Sequence, residues 1–384
     1  MKIWEIREQL QNFPKYPGTK KYPPASVCNN GFPSCFNLSM GEAEMHELWG
    51  QYLKYDCDLI YSKIQPVIRH EDWQKILDDT ENRYRYLSVF DMADVAGLIL
   101  QKDNVKHREA AEFSISSMLS FIKSLGLDLN KIRVAYFEET NISKATNGKY
   151  KIDKNFPTDP MLAYWKENFD LKENQFIASH NRDTMLALNI FGLPTPWGYR
   201  NEIFYEHQGK LLDIGTTEHL MYAPVFNEQK EVVDIKPFDH SVVVNGVGVE
   251  RISMIVNDIG NIWDVDTIKP LVNEAEKLFS SGEIEAMQII QALRVIHRII
   301  ADCKSYTNLN KRRKEYLRGF FKVLPKHIDF NVENLKKIDS LLVLNSELQP
   351  FYPELKLSIN QTLVELKQRK EAIDSDQSYR GVAQ

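Results

Sequence analysis

The chain has 384 residues, enough for about two domains, and its 43% hydrophobic and 11% aromatic content predicts a sizeable core rather than disorder. Forty-eight basic and 53 acidic side chains give a net charge of −5, which excludes a globally basic nucleic-acid coat protein. No apolar run approaches the ~20 residues of a membrane helix, and the N-terminus lacks the apolar stretch of a signal peptide. Four scattered cysteines form neither a disulfide framework nor a zinc motif. We expect a reduced, cytoplasmic protein without a structural metal.

Before residue 200, stretches with helical spacing alternate with short β-rich runs. Apolar residues recur at three- or four-residue intervals and predict helices over 3–13, 42–59, 108–127 and 159–170. Strands are predicted for the run KIQPVIR, which ends at Arg69, for the start of 84–100 and for 132–139. The pair Asn147-Gly148 predicts a turn.

The second half of the chain changes from strands to helices. Residues 202–250 contain short β-rich runs separated by polar turns, which is typical of an antiparallel sheet rather than of βαβ units. A helix is predicted over 250–258, and after Asp266 the pattern is almost wholly helical. The sequence therefore predicts an α+β fold, with an antiparallel sheet flanked by helices in a domain over 1–266 and an all-helical domain over 267–384.

The segment GVGVER, from Gly246 to Arg251, is the sharpest local motif. Two glycines two residues apart on a strand allow a second backbone or a flat ligand to approach closely. The arginine that follows can lie over an adenine ring or hold a phosphate. The alternative is an ordinary strand-to-helix turn whose arginine makes a surface ion pair.

A second pair of candidates is Arg69, at the end of its predicted strand, and Phe90, 21 residues later. An arginine on a strand can neutralise negative charge while a carboxylate attacks a phosphate. An aromatic ring on a neighbouring strand offers a stacking surface for a purine. The alternative for Phe90 is an ordinary place in the hydrophobic core.

Taken together and in this order, these segments resemble the class II alanyl-tRNA synthetase family. The ending VVVNGVGVER is similar to the family's last catalytic motif, and Arg69 with VFDM (89–92) is similar to its R…FFEM segment. NEIFYEH (201–207) resembles its TEIFYDHG segment. Two C-terminal helices, LRVIHRIIADCKS (293–305) and KRRKEYLRGFFKVL (311–324), resemble helices of its tRNA-binding part. The resemblance covers roughly 1–330.

The resemblance implies a two-step, ATP-dependent reaction assisted by Mg²⁺. A carboxylate attacks the α-phosphate of ATP, pyrophosphate leaves, and the acyl group of the adenylate moves to a tRNA ribose hydroxyl. Arg69 and Arg251 would then be the catalytic residues. The implied ATP-binding set is Arg69, Phe90, Asp91, Gly246, Gly248, Glu250 and Arg251.

The amino-acid side matches the family less well. Two residues before the first motif glycine, the family has an aspartate for the substrate ammonium, and this chain has Val244. The family's Trp-Asn pair corresponds to Gly215-Thr216. An apolar side chain cannot pair with a cation. Either Glu202, Asp213 or Glu218 holds the ammonium, or the activated acid lacks an α-amine.

The family's full-length members also carry a metal-dependent editing domain and a further C-terminal module. This chain ends before either, so proofreading in cis is not expected.

A basic stretch from residue 294 to residue 326 predicts a nucleic-acid face. Ten basic residues there oppose only Asp302 and Glu315, for a local charge of +8. The candidate tRNA-binding residues are Arg294, Arg298, Lys311, Arg312, Arg313 and Arg318. The alternative is a solvated helix surface. Arg312 stands where the family reads the acceptor stem with an asparagine, so acceptor recognition is expected to differ.

Three functions remain open from the sequence. The first is activation of an amino acid or related acid and its transfer to tRNA. The second is a tRNA-independent ligase that transfers the acyl group to a carrier protein or a small metabolite. The third is a non-catalytic paralogue that binds tRNA. The complete set of ATP-side motifs argues against the third, because a pure binding protein needs no ATP clamp.

Overall fold

A long, mostly antiparallel sheet forms the centre of the structure. The structure is a computed structural model that describes residues 1–29, 35–36, 59–69, 72, 81–101, 104–138, 141–146, 148–169, 171–179, 185–187, 196–325 and 327–382. Within these residues, ten strands form one sheet in the order β1-β2-β4-β10-β9-β8-β5-β6, with β3 paired to β4 and β7 paired to β8. The pairs β1–β2 and β5–β6 are parallel and the others antiparallel. The strands are β1 Lys20–Lys21, β2 Leu59–Ser62, β3 Ile64–Ile68, β4 Val89–Gln101, β5 Ile132–Phe137, β6 Phe176–Ser179, β7 Met185–Ala187, β8 Trp197–His207, β9 Lys210–Phe226 and β10 Val232–Gly248.

Helices flank the sheet and make up almost the whole chain after β10. In chain order they are α1 Ile3–Asn12, α2 Asn104–Ser124, α3 Ile142–Ala145, α4 Met161–Phe169, α5 Val249–Val256, α6 Lys269–Phe279, α7 Glu283–Cys303, α8 Lys311–Val323, α9 Val332–Glu347, α10 Pro353–Leu357 and α11 Ile359–Val382. The α+β fold predicted from the sequence, with an antiparallel sheet flanked by helices and a helical C-terminal region, is confirmed. No helix in the described ranges is both long and apolar enough to cross a membrane.

Local sequence accounts for these elements. In α1, Ile3, Ile6 and Leu10 recur at helical spacing and are buried, and the Glu5 side chain accepts a hydrogen bond from the Lys2 amide at the helix start. In β8, buried residues alternate with half-buried ones, as the period of two in an extended strand requires. This alternation gives the sheet one face packed against helices and one face that lines a cavity.

The hydrophobic core runs continuously across the domain boundary predicted at residue 266. One cluster of contacting buried side chains extends from Ile3 in α1 to Leu366 in α11 and includes Val247 in β10. The N-terminal helix also packs against α5. The division into 1–266 and 267–384 therefore stays a prediction.

Two predicted elements lie partly or wholly outside the described residues. The helix predicted over 42–59 is one, since only Leu59 of that range is described and it begins β2. The turn at Asn147-Gly148 is the other, since Asn147 is not described. Gly148 itself has a φ of +74°, which is the left-handed conformation that favours glycine in turns.

Candidate functional site

A cavity of about 450 Å³ lies over the sheet where β4, β8, β9 and β10 run side by side and α5 begins. The sequence-predicted residues that line it are Arg69, Phe90, Glu202, Asp213, Gly215, Thr216, Glu218, Val244, Gly246, Gly248 and Arg251. The structure thus brings together residues that are up to 182 positions apart in the chain (69 to 251).

The floor of the cavity consists of rows of residues across three adjacent strands. One row contains Arg200, Glu218 and Val244, since Glu218 of β9 pairs with both of the others. The next row contains Glu202, Thr216 and Gly246. Residues directly opposite in an antiparallel pair carry their side chains on the same face. Charged and small side chains therefore point into one cavity.

The glycines permit the strands to approach closely beneath this floor. A Cβ atom on Gly215 would lie 2.4 Å from the Gly246 carbonyl oxygen, so no other residue fits there without a backbone shift. The ladder between β4 and β10 also shifts register at Gly246. Gly248 is the N-cap of α5 and lies beside the Arg251 side chain.

Arg251 is fixed against one wall of the cavity. Its Nη1 donates to the Asp213 carboxylate at 2.6 Å and to the Asp213 carbonyl at 2.8 Å. Its guanidinium lies 5.5 Å from the centre of the Tyr86 ring. The Asp213 carboxylate raises the pKa of Arg251 against the lowering effect of burial. The guanidinium is therefore charged and orientated before any ligand arrives.

Arg69 faces the same space from the end of β3. Its guanidinium lies 5.1 Å from the centre of the Phe90 ring, and its Nη2 lies 3.9 Å from the Met92 sulfur. Burial and the nearby Arg251 charge lower the pKa of Arg69. Two guanidinium groups that repel each other across a cavity are an arrangement that a polyanion would stabilise.

The far end of the cavity is rich in carboxylates. Arg200 pairs with Glu218 at 2.8 Å and, more loosely, with Glu202 at 3.5 Å. Burial and the Asp213 charge raise the pKa of Glu202 to about 8. No group of three or more metal-ligating side chains occurs among the residues that the structure describes.

Asp91 and Glu250 lie outside this cavity, which corrects their expected contact with ATP. Asp91 follows Phe90 on β4, so its side chain points to the opposite face, where it pairs with Arg7 and accepts from the Tyr352 hydroxyl at 2.7 Å. The Glu250 carboxylate accepts from the Asp91 amide at 3.0 Å. Burial and the Asp91 charge raise the pKa of Glu250 to about 8. Glu250 thus joins α5 to the backbone of β4, and the Asp91 side chain joins β4 to α1 and to Tyr352.

The basic stretch divides into buried and exposed parts. Arg294 and Arg298 are 4% exposed because α7 is packed on all sides, and Arg298 pairs with Asp302 and Glu354. Arg313 is 6% exposed, and its guanidinium donates to the carbonyls of Cys28, Asn29 and Cys35. These three arginines are therefore not on a nucleic-acid face. Lys311 and Arg312 are exposed and Arg318 is half-buried, all on α8.

Several residues of the cavity were not singled out from the sequence. They are Tyr86, Met92, Arg200, Phe204 and Ile214. Arg200, Glu202 and Phe204 are every second residue of β8 and therefore share one face of the strand. The period of two could thus have indicated Arg200 and Phe204 once Glu202 was chosen. Tyr86 lies in a loop before β4. The alternating pattern that predicts a strand at the start of 84–100 places it at the same parity as Phe90, so this pattern could have indicated it.

The antiparallel sheet, the flanking helices and the glycine-bearing strand that enters α5 define an α+β protein. Comparison with solved structures gave the apo histidyl-tRNA synthetase of S. aureus, which covers 64% of this chain and 63% of that one at 8% identity and a TM-score of 0.32.

Comparison with curated sequences shows similarity to alanine–tRNA ligases. The enzyme of Rickettsia prowazekii (strain Madrid E) is 23% identical over 221 residues, 52% of this chain and 24% of that protein. The enzyme of Prochlorococcus marinus (subsp. pastoris) is 23% identical over 228 residues, 54% of this chain and 25% of that protein. No family model matches. The resemblance predicted from the sequence is confirmed: over about half its length, and about a quarter of theirs, the chain is alanyl-tRNA synthetase-like.

Proposed function

We propose that the chain is an adenylate-forming ligase that activates an amino acid or a related carboxylic acid with ATP. The observation that carries the proposal is the convergence of Arg69 and Arg251 on one cavity, each beside an aromatic ring. Two fixed cations offset triphosphate charge, and the rings of Phe90 and Tyr86 offer flat faces for a purine.

In the proposed reaction, an oxygen of the substrate carboxylate attacks the α-phosphorus of ATP. A new acyl–oxygen–phosphorus bond forms, the bond between the α-phosphorus and the bridging oxygen breaks, and pyrophosphate leaves with that electron pair. Arg69 neutralises the charge that accumulates on the α-phosphate, and Arg251 holds the adenine face or the γ-phosphate. Gly246 and Gly248 keep the backbone close to the ligand.

The carboxylates of the cavity suit Mg²⁺, which would neutralise phosphate charge when bound. Mg²⁺ in phosphate-transfer sites is held by one or two carboxylates together with substrate phosphates and water, so a dedicated protein cage is not needed. Such a pair is formed by Asp213, beside Arg251, and Glu202, whose pKa is raised by burial and by the Asp213 charge. Metal binding would require Glu202 to release its proton.

We propose that Glu218 takes the substrate ammonium group. It pairs directly with Val244 across β9 and β10, so it brings a carboxylate to within one strand of the position where the family has its aspartate. Arg200 orientates the Glu218 carboxylate through an ion pair of 2.8 Å. This favours an acid with an amine over one without, although the geometry around that amine differs from the family's.

For the acceptor, we propose tRNA, with Lys311, Arg312 and Arg318 of α8 as the contacts. A second candidate is a carrier protein or small metabolite, and one observation favours it. The burial of Arg294, Arg298 and Arg313 leaves a much smaller basic surface than the sequence predicts. A small acceptor needs no extended phosphate-binding face.

Trapping of the activated acid tests the proposal. The purified chain is incubated with ATP, Mg²⁺, hydroxylamine and a panel of acids with and without an α-amine. We expect ATP-dependent hydroxamate formation from at least one amine-bearing acid. Its absence for every acid in the panel would favour the non-catalytic paralogue.

A further inference from the structure

A second cavity, of about 190 Å³, opens between α1, the β1–β2 edge and the aromatic pair Phe351-Tyr352. It shares no described lining residue with the large cavity over the sheet. At ~30 Å³ per water in the liquid, it has room for about six water molecules. It is therefore large enough for a phosphate group with a small substituent and too small for a nucleotide chain.

The charged side chains known to line this cavity are all basic. Its described lining residues include four basic side chains and no acidic one: Arg7, Lys15, Lys21 and Lys63. Two of them belong to the interior, since Arg7 is 6% exposed and Lys63 is 4% exposed. Arg7 already has a buried counter-ion, Asp91. An anion in the cavity would be attracted by the positive charge of the lysines that line it.

Both buried cations are held in place. The Arg7 guanidinium lies 3.7 Å from the centre of the Phe351 ring and pairs with Asp91 behind it. The Lys63 ammonium donates to the Gln65 amide oxygen at 3.0 Å. Such contacts fix the direction of the cations before a ligand binds, which lowers the entropic cost of binding.

The strand edge completes the cavity with one exposed lysine. Lys21 of β1 lies opposite Ser62 of β2, and both residues line the cavity. Its neighbour Lys20 lies opposite Tyr61, and neither of these two residues lines it. Successive residues of a strand point to opposite faces, so Lys20 and Lys21 form a natural matched pair.

We propose that this cavity binds the phosphate group of a small phosphorylated molecule. Several ammonium groups and one guanidinium around a small volume favour a compact dianion over a single carboxylate. The Ser62 hydroxyl adds a neutral donor. The site is separate from the proposed ATP cavity and does not rest on that function.

Binding of inorganic phosphate, measured by isothermal titration calorimetry at constant ionic strength, tests the proposal. Wild-type protein, Lys21→Glu and Lys20→Glu are compared. We expect phosphate to bind at least tenfold more weakly to Lys21→Glu and equally well to Lys20→Glu. Arg251→Ala is included because phosphate also has cations to bind in the large cavity; this variant should keep the high-affinity site. Lys21→Gln replaces Lys21→Glu if the latter does not fold.

Three results would overturn the proposal. The first is no phosphate binding by wild-type protein at millimolar concentration. The second is an equal loss in the Lys20 and Lys21 variants, which would show only a general charge effect. The third is loss in Arg251→Ala with binding retained in Lys21→Glu, which would place phosphate in the large cavity. None of these results contradicts acid activation, so the two proposals fail separately.

Discussion

Glu218 lies directly across from Val244 in the ladder between β9 and β10. Under the proposed function, Glu218 offers its carboxylate from the strand beside Val244, on the same face of the sheet. Because directly opposed residues lie about 4.5–5.5 Å apart at Cβ, we expect the substrate ammonium to lie about one strand spacing from Val244.

Replacing Glu218 by Gln should weaken binding of the amine-bearing substrate. Loss of a charged hydrogen bond is worth about 1.5–3 kcal/mol, so we expect KM to rise about tenfold or more. KM is measured by adenylate formation with ATP saturating. Glu231→Gln, an exposed glutamate at the β9–β10 hairpin, is the control. An unchanged KM in Glu218→Gln would place the ammonium elsewhere, with Glu202 and Asp213 as the next variants.

Replacing Arg251 by Ala should slow adenylate formation on the order of 10²-fold, because a fixed cation beside the phosphates is removed. Arg69→Ala should have an effect of similar size. Arg133→Ala is the matched control, since Arg133 of β5 pairs with Glu206 and neither residue lines the cavity. Wild-type rates in both cavity variants would refute the assignment of the two arginines.

The stability of the ligand-free protein should fall as pH rises from 6.5 to 8.5. Burial and a neighbouring aspartate raise the pKa of Glu202 and of Glu250 from 4.5 to about 8, so the folded chain holds protons that the unfolded chain has released. Folding then binds protons, and the free energy of unfolding decreases with pH until both groups ionise. Burial lowers the pKa values of His107, His219 and His297, so these groups change the pH dependence of stability only below this range.

Glu250→Gln isolates one of these two groups, because the amide cannot ionise yet can still accept the Asp91 amide hydrogen. Urea unfolding at several pH values should show a slope about half as steep as in the wild type. Glu231→Gln should leave the slope unchanged. A wild-type slope in Glu250→Gln would mean that this carboxyl does not take up a proton on folding.

Reversing charge on α8 should weaken tRNA association without loss of adenylate formation. We expect the double variant Lys311→Glu, Arg312→Glu to bind tRNA more weakly and to lower the slope of log affinity against log salt by about one to two, since each phosphate contact contributes about 0.9. Arg313 is left in place because it holds the N-terminal segment. Arg108→Glu, an exposed change on α2, is the control.

Filter binding at several salt concentrations measures this effect. Salt-insensitive binding would exclude a phosphate-contacting face on α8. No tRNA binding by wild-type protein would favour the carrier-protein or small-molecule acceptor. Adenylate formation lost together with the charge reversal would show that α8 supports the catalytic cavity instead.

The elements that carry the site were predictable because each has a strong local pattern. The apolar run before Arg69, the paired glycines of GVGVER and the helix that follows are all set by neighbouring residues. Strand periodicity in the 202–250 stretch likewise predicts the antiparallel sheet. These patterns depend on positions only a few residues apart.

The incorrect sequence-based predictions concern the face of a strand or helix on which a side chain lies. Asp91 and Phe90 are adjacent on β4 and therefore face opposite sides of the sheet, and the buried partners Arg7 and Tyr352 hold the Asp91 side chain on its side. Arg294 and Arg298 were predicted to lie on a basic surface. The helix α7 is buried on all sides, so its sequence has no separate polar face that would show which side chains are exposed. The burial of these side chains depends on long-range packing against α1, α9 and α10, which cannot be predicted from neighbouring residues in the sequence.

Pyrophosphate exchange tests the central claim most directly. Wild-type protein, Arg251→Ala and Arg133→Ala are incubated with ATP, Mg²⁺, labelled pyrophosphate and each acid of the panel. Our account predicts acid-dependent return of label into ATP by the wild type and by Arg133→Ala, and a loss on the order of 10²-fold in Arg251→Ala. Absence of exchange with every acid, or undiminished exchange in Arg251→Ala, would contradict it.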